Sequence, residues 1–176
     1  MPPPSPEDVA IITLPLDRWQ EYRDLRLAAL AAEPTAFSEP YDRAAQRSPT
    51  EWQERLASTS SWLVFAERAG RLVALAGAFP SPGEPGVVTI VSVYVDASFR
   101  GLGIGRKLLS SLIERITAGG DASLLRLHVN DTNASAIALY ESLGFAMVGI
   151  ERDVLQHDGV SYDELVMERT IRSSSG

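Results

Sequence analysis

Apolar side chains recur along this chain in two rhythms. Runs at 9–14 (VAIITL), 62–67 (WLVFAE), 71–79 (RLVALAGAF), 87–95 (VVTIVSVYV) and 124–129 (LLRLHV) are rich in β-branched residues and predict strands. Elsewhere apolar positions fall three and four apart, the spacing of one helix face. Ile104, Leu108, Leu109, Leu112, Ile113 and Ile116 form such a stripe, which stops at Gly119-Gly120. Trp19, Tyr22, Arg26 and Leu30 mark an earlier helix, for which Asp17 and Gln20 offer a capping box. Ser48, Pro49 and Glu51 open another, with serine as cap and proline in the first turn. The segment between these two helices, 33–47, reads as a polar connection containing two prolines.

Turn residues join the elements. Arg68-Ala69-Gly70 lies between two strand runs and predicts an antiparallel hairpin, and Asp158-Gly159 does the same for AMVGIERDVLQ and VSYDELVME. NASAIALYESLGF reads as a helix with Gly144 just past its end and Phe145 folding back. The middle of the chain therefore runs strand–helix–strand–helix–strand, and such crossovers favour parallel neighbours. One α+β domain over residues 8–171 is expected, with flexible ends at 1–7 and 172–176.

Composition narrows the function classes. A chain of 176 residues buries a core without staples, and the absence of cysteine excludes disulfides and thiolate zinc sites. Only His128 and His157 are available as imidazole ligands, so no metal is expected. A formal charge of −7 argues against nucleic-acid binding. No apolar run reaches the roughly 18 residues of a membrane span. MPPPSPED has neither the charged nor the apolar part of a secretory signal, and a cytoplasmic enzyme is expected.

The candidate chemistry begins at RGLGIGRKLL, residues 100–109. This turn follows a strand and opens a helix, so its main-chain N–H groups and the helix dipole favour an anion. Arg100 and Arg106 add charge-assisted donors. The P-loop template fails because Lys107 follows Arg106 and precedes Leu108. The dinucleotide fingerprint fails because the spacing is G-x-G-x-G.

VSVYVDASFRGLGIGRKLL resembles the acetyl-CoA-binding motif of the GNAT superfamily of N-acetyltransferases, R/Q-x-x-G-x-G/A, with Arg100, Gly103 and Gly105 at its fixed positions. LRLHVNDTNASAIALYESLGF resembles the family's strand–Asn–helix–Tyr–Gly-Phe segment at the expected distance. The resemblance covers about residues 87–148 and implies a single GNAT-like domain. Its sheet is mixed and mostly antiparallel, splayed between two parallel strands and flanked by about four helices. It further implies that Gly101, Leu102, Gly103, Ile104, Gly105 and Arg106 hold the coenzyme A pyrophosphate, with Arg100 beside them. Val93, Tyr94 and Val95 would pair through their backbone with the pantetheine arm, and Asn133 would contact it. No metal is implied. Homodimers are common in the family.

The reaction implied is acetyl transfer from acetyl-CoA to a primary amine of a small molecule, peptide or protein by direct attack. It needs a neutral amine, a stabilised oxyanion and a proton for the departing thiolate. Tyr140 matches the family's proton donor. A phenol (pKa about 10) giving its proton to a thiolate (thiol pKa about 8.5) works by position rather than acidity. The general base is not read from the resemblance, because 87–95 carries no glutamate; Glu39, Glu84 and a water held near Ser92 are the candidates. AFSEPYDRA, residues 36–44, resembles a segment lining the acceptor pocket in some relatives, which makes Phe37 and Glu39 substrate-side expectations, and Ser92, a polar member of 87–95, is a third. His128 is expected to be a packed, hydrogen-bonded side chain and His157 an exposed one. The alternative to the enzyme is a catalytically silent GNAT-like domain that binds acyl-CoA as a sensor or scaffold.

Overall fold

The computed structural model describes residues 5–171; of the flexible ends expected at 1–7 and 172–176, residues 1–4 and 172–176 lie outside the described residues, while Pro6–Asp8 form a 3₁₀ turn. Seven strands form one sheet in the order β1-β2-β3-β4-β5-β7-β6. They are β1 (Ala10–Ile12), β2 (Trp62–Arg68), β3 (Arg71–Pro80), β4 (Val87–Val95), β5 (Leu124–Asn130), β6 (Ala146–His157) and β7 (Val160–Thr170). Every neighbouring pair is antiparallel except β4 and β5, which α4 (Ile104–Ala118) connects as a crossover. The β4–β5 ladder is short. It runs from Val87–Leu124 to Ile90–Leu127, and beyond that point the two strands part.

Each face of the sheet carries its own core. On one face α4 buries Ile104, Leu108, Leu109, Leu112, Ile113 and Ile116 against Val88, Ile90, Leu125 and Leu127, as its stripe predicts. Tyr140 and Phe145 of the following helix and turn join this cluster. On the other face α1 (Trp19–Ala32) and α3 (Pro49–Ala57) pack Tyr22, Leu30 and Trp52 on Phe65 and Leu75. Tyr22 meets Trp52 edge-on at 5.3 Å and Phe65 at 5.6 Å. Truncating one of the fully buried leucines, such as Leu109, costs about 2–5 kcal/mol.

Local signals are realised where they are self-contained. Ser48 accepts from Glu51 N–H (3.2 Å) while Glu51 accepts from Ser48 N–H (2.7 Å), a complete capping box. Ala69-Gly70 and Asp158-Gly159 adopt left-handed φ in their hairpins. After α5 (Ala134–Ser142), Phe145 N–H donates to Tyr140 O and Gly144 N–H to Glu141 O, a Schellman closure with Gly144 at φ 89°.

Two expectations are corrected. Asp17 caps no helix: a 3₁₀ turn covers Leu16–Arg18, and α1 starts behind Arg18 without a side-chain cap. Arg18 instead turns its guanidinium to Glu21 (2.7 Å) and Glu67 (2.5 Å), so the helix entry is set by contact with β2. The polar connection at 33–47 also contains a short helix, α2 (Tyr41–Ala45), secured by the fully buried Ala44.

Candidate active site

Two irregularities of β4 build the site. The first is the splay from β5. The second is a β-bulge: Leu75 pairs with Tyr94 and Gly77 with Val91, so neither Ser92 nor Val93 has a partner on β3. Ser92 takes the left-handed conformation at φ 59°. The bulge reverses the strand's facing, because Ile90 and Val93 lie in or against the α4 core whereas Tyr94 lies in the α1 core.

A cleft of about 460 Å³ occupies the splay. Val91, Ser92, Val93 and Val95 wall one side, and Leu127, His128, Val129 and Asn130 wall the other. The glycine turn closes one end through Arg100, Gly101, Gly103, Ile104, Gly105 and Arg106, while Asn133, Ala136, Leu139 and Tyr140 of the α5 region form the floor. Of the residues expected to bind the cofactor, Tyr94 and Leu102 place no atoms in this lining. Tyr94 is buried beneath the Arg100 guanidinium, 5.8 Å from its ring.

The turn is shaped for an anion. Gly101 and Gly103 have φ of 75° and 77°, a region that side chains with a Cβ rarely enter. Lys107 N–H closes the first turn of α4 onto Gly103 O at 3.1 Å. The N–H groups of Ile104, Gly105 and Arg106 therefore have no intrahelical acceptor and carry the positive end of the helix dipole. A Cβ on Gly105 would stand 3.2 Å from Leu139 Cδ2, so this glycine permits the close approach of α4 and α5. Arg106 donates to Ser142 Oγ at 2.5 Å, beside the same entrance. Arg100 donates to Val95 O at 3.0 Å and pairs with Glu33 at 2.5 Å, fastening the turn to the end of α1. A diphosphate fits these donors, and the apolar splay fits an extended arm.

Tyr140 is buried in the floor of the cleft, edge-on to Phe145 at 6.2 Å. Burial first, and the Glu33 charge second, push its phenol well above the ordinary value, so the O–H stays protonated at any working pH. Asn133 is the N-cap of α5, its Oδ1 accepting from Ala136 N–H at 3.2 Å.

The substrate-side residues separate. Glu39 lies between Arg26 (3.2 Å) and Arg47, which it also contacts at 3.1 Å through a second pair of atoms. Burial opposes its charge, but the hydrogen bonds and charges of Arg47 and Arg26 outweigh that and hold its carboxyl below the ordinary range. A carboxylate so stabilised is a poor proton acceptor. Arg26 also donates to Ser92 Oγ at 3.0 Å, which links this network to the bulge. Phe37 is buried in the α1 core under Arg26, whose guanidinium stands 4.9 Å from its ring. Glu84 lies away from the cleft and binds Arg126 at 2.7 Å, so it is not at hand as a base.

One further expectation is corrected, and two residues the sequence did not single out line the cleft. His128 is not packed: it is exposed on the cleft wall, with Nδ1 3.4 Å from Glu151 and 3.8 Å from Glu164. Asn130 is buried and donates to Thr35 O at 3.4 Å, holding the segment after α1 over the cleft, and Glu33 lines the opening. His157 is partly exposed beside Asp158.

The sequence profile of the Acetyltransferase (GNAT) family matches residues 21–145. N-alpha-acetyltransferase RimI of Mycobacterium tuberculosis is 33% identical over 122 residues, 69% of this chain and 73% of that protein. The crystal structure of the ribosomal-protein-S18-alanine N-acetyltransferase from Escherichia coli superposes with a TM-score of 0.71 at 25% identity, covering 96% of each chain. A GNAT-family acetyltransferase from Streptococcus pneumoniae reaches a TM-score of 0.82 at 19% identity, over 93% of this chain and 99% of that one, a likeness of fold.

Proposed function

The chain belongs to the GNAT family and is an N-acetyltransferase, and from that premise we propose that it moves an acetyl group from acetyl-CoA to the α-amine of a peptide or protein. The observation that carries the reading is the cleft itself, a split between parallel strands closed at one end by a turn rich in free main-chain donors and floored by a protonated phenol. Acetyl-CoA supplies a thioester carbon open to attack. The amides of Ile104 to Arg106 are the donors we assign to its diphosphate, with Arg100 and Arg106 lending charge. Val93 to Val95 are assigned to the pantetheine amides and Asn133 to the same arm.

The protein's part in the chemistry follows from the two strand irregularities. Ser92 and Val93 are released from the β3 ladder where the split opens, and the Val93 N–H is our choice of oxyanion donor. Tyr140 directs its O–H at the departing sulfur. Full proton transfer from a phenol raised this far would be uphill, so it acts by hydrogen-bonding the developing thiolate and yielding its proton late. Substrate choice rests on acidity and on kinship. An α-amine (pKa about 7.7–8.0) is roughly a third neutral at pH 7.5, whereas a lysine amine (about 10.4) is about 0.1% neutral, so a weak proton acceptor suffices for the former. The M. tuberculosis and E. coli relatives carry names of N-alpha and alanine N-acetyltransferases.

Among the described residues no helix is long and apolar enough to cross a membrane. The outer strand β6 exposes Met147, Val148 and Ile150, and we assign this edge to contact with a second copy of the chain. The function is tested by thiol release with acetyl-CoA and a peptide bearing a free N-terminal alanine. The same peptide blocked at its N-terminus, a lysine-only peptide and small amines serve as controls. Release with the free peptide alone is expected. Release only with small amines contradicts the substrate class, and release with no amine contradicts the activity.

A further inference from the structure

On the face of the sheet that α1 and α3 cover, the cover stops at β4. The buried strand residues of that core, Phe65, Leu72, Leu75 and Tyr94, come from β2, β3 and β4, and among the described residues none comes from β5, β7 or β6. Three side chains able to bind a metal meet on the open part. Glu151 of β6 and Glu164 of β7 are direct cross-strand partners, and Glu164 also pairs with Asn130 of β5. His128 lies two residues before Asn130 and shares its face. The count of histidines alone led to the expectation of no metal, but the fold brings two carboxylates to one of them.

Two carboxylates directly opposite each other on neighbouring strands repel and cost stability. The arginines nearby do not relieve this pair. Arg126 is held by Glu84 (2.7 Å) and Glu168 (2.8 Å), and Arg152 by Asp163 (3.1 Å). The imidazole does approach, with Nδ1 3.4 Å from Glu151 and 3.8 Å from Glu164. These are spacings of ligands around an ion. Bonds of about 2.0–2.2 Å from zinc to histidine nitrogen and carboxylate oxygen, at the tetrahedral angle, set the donors roughly 3.3–3.6 Å apart. All three donor atoms already lie within 4.8 Å of one another. The Glu151 side chain is 49% exposed, so it has room to close the remaining gap.

We propose that Nδ1 of His128 and one carboxylate oxygen each from Glu151 and Glu164 form a site for a divalent first-row cation, best suited to Zn²⁺, with water in the fourth position. One nitrogen and two oxygens fit such an ion, whereas Mg²⁺ demands a near-octahedral shell of oxygens. The three ligands stand on paired strands, so the backbone is already in place when the ion arrives. His128 also lines the cleft, which gives the ion a consequence that rests on the acetyltransferase reading above. Two unneutralised carboxylates beside the cleft attract an acceptor that arrives as an ammonium ion. A bound dication cancels their charge. Zinc therefore weakens the hold on the amine and leaves the glycine turn untouched.

Calorimetric titration of the chelator-treated full chain with zinc chloride, without cofactor or amine, tests the site. Saturable binding of about one Zn²⁺ per chain is expected, and no heat from Mg²⁺. His128→Ala and Glu151→Gln should each weaken binding by no less than the roughly 10–100-fold that even an outer-shell partner is worth. Both side chains are exposed, and Glu151→Gln relieves the repulsion, so metal-free E151Q should melt no lower than wild type, which separates a lost ligand from a lost fold. Co²⁺ in place of Zn²⁺ should give wild type the visible absorption of a tetrahedral ion and H128A none. No heat overturns the site, and so does binding that both variants leave unchanged, which marks an adventitious ion only. In thiol-release kinetics zinc should raise the KM for the amine but not for acetyl-CoA, and Glu151→Gln should blunt the rise. An amine KM indifferent to bound zinc overturns the consequence. Thiol release absent under every condition sinks the acetyltransferase reading, while the titration still decides the site.

Discussion

Arg26 of α1 donates to Ser92 Oγ of β4 at 3.0 Å, joining the helix layer to the one strand residue that holds a left-handed turn beside the cleft. The arginine side chain is only 7% exposed and also pairs with Glu39. Replacing it with methionine keeps the bulk but removes the positive partner of a buried carboxylate. Arg26→Met should lower stability by about 3 kcal/mol, read as a smaller urea midpoint at constant m-value.

Glu39 makes a prediction in pH. Its folded-state pKa lies below the ordinary 4.5, so the stabilisation is complete above that value and fades as pH falls through the lower folded one. Wild type and Glu39→Gln should therefore differ most at pH 6 and converge toward pH 3. Urea midpoints at the two pH values decide it; a gap that widens in acid would reverse the assignment.

Gly103 holds φ 77° at the head of α4. Gly103→Ala should cost about 1–2 kcal/mol in unfolding free energy, because the left-handed region crowds a Cβ. It should also weaken acetyl-CoA binding, since the free amides follow directly. Unfolding curves and calorimetry on one preparation separate the two effects.

Tyr140→Phe removes the O–H but keeps the ring against Phe145. We expect kcat to fall about 10²-fold with acetyl-CoA affinity little changed. Equal turnover would take the phenol out of the chemistry.

What could be read from the chain was local. The Ser48–Glu51 box, the Asp158-Gly159 turn and the Gly144 closure each involve neighbours in sequence, and each formed as read. Features made by distant partners were not legible. Asp17 lost its cap because Arg18 is drawn to Glu67, 49 residues away. The Ser92 bulge is a mismatch of register between β3 and β4, and no residue of VVTIVSVYV announces it. Periodicity put His128 on a face with Arg126 and Asn130, but whether that face is covered depends on where β5 parts from β4. Glu84 looked available until the fold set Arg126 beside it. The turn assigned to the diphosphate is legible in the sequence because its glycines, its cations and the following stripe are contiguous.

The claim on which the rest depends is that the turn from Arg100 to Arg106 and the split beside it hold acetyl-CoA. Calorimetric titration of the protein with acetyl-CoA tests it directly, with Gly103→Ala as the paired control. Saturable one-site binding that the variant weakens is the predicted result, with wild type gaining about 2.7 kcal/mol of stability at a ligand concentration of 100 times Kd. No heat and no stabilisation, or binding indifferent to the glycine, would contradict it.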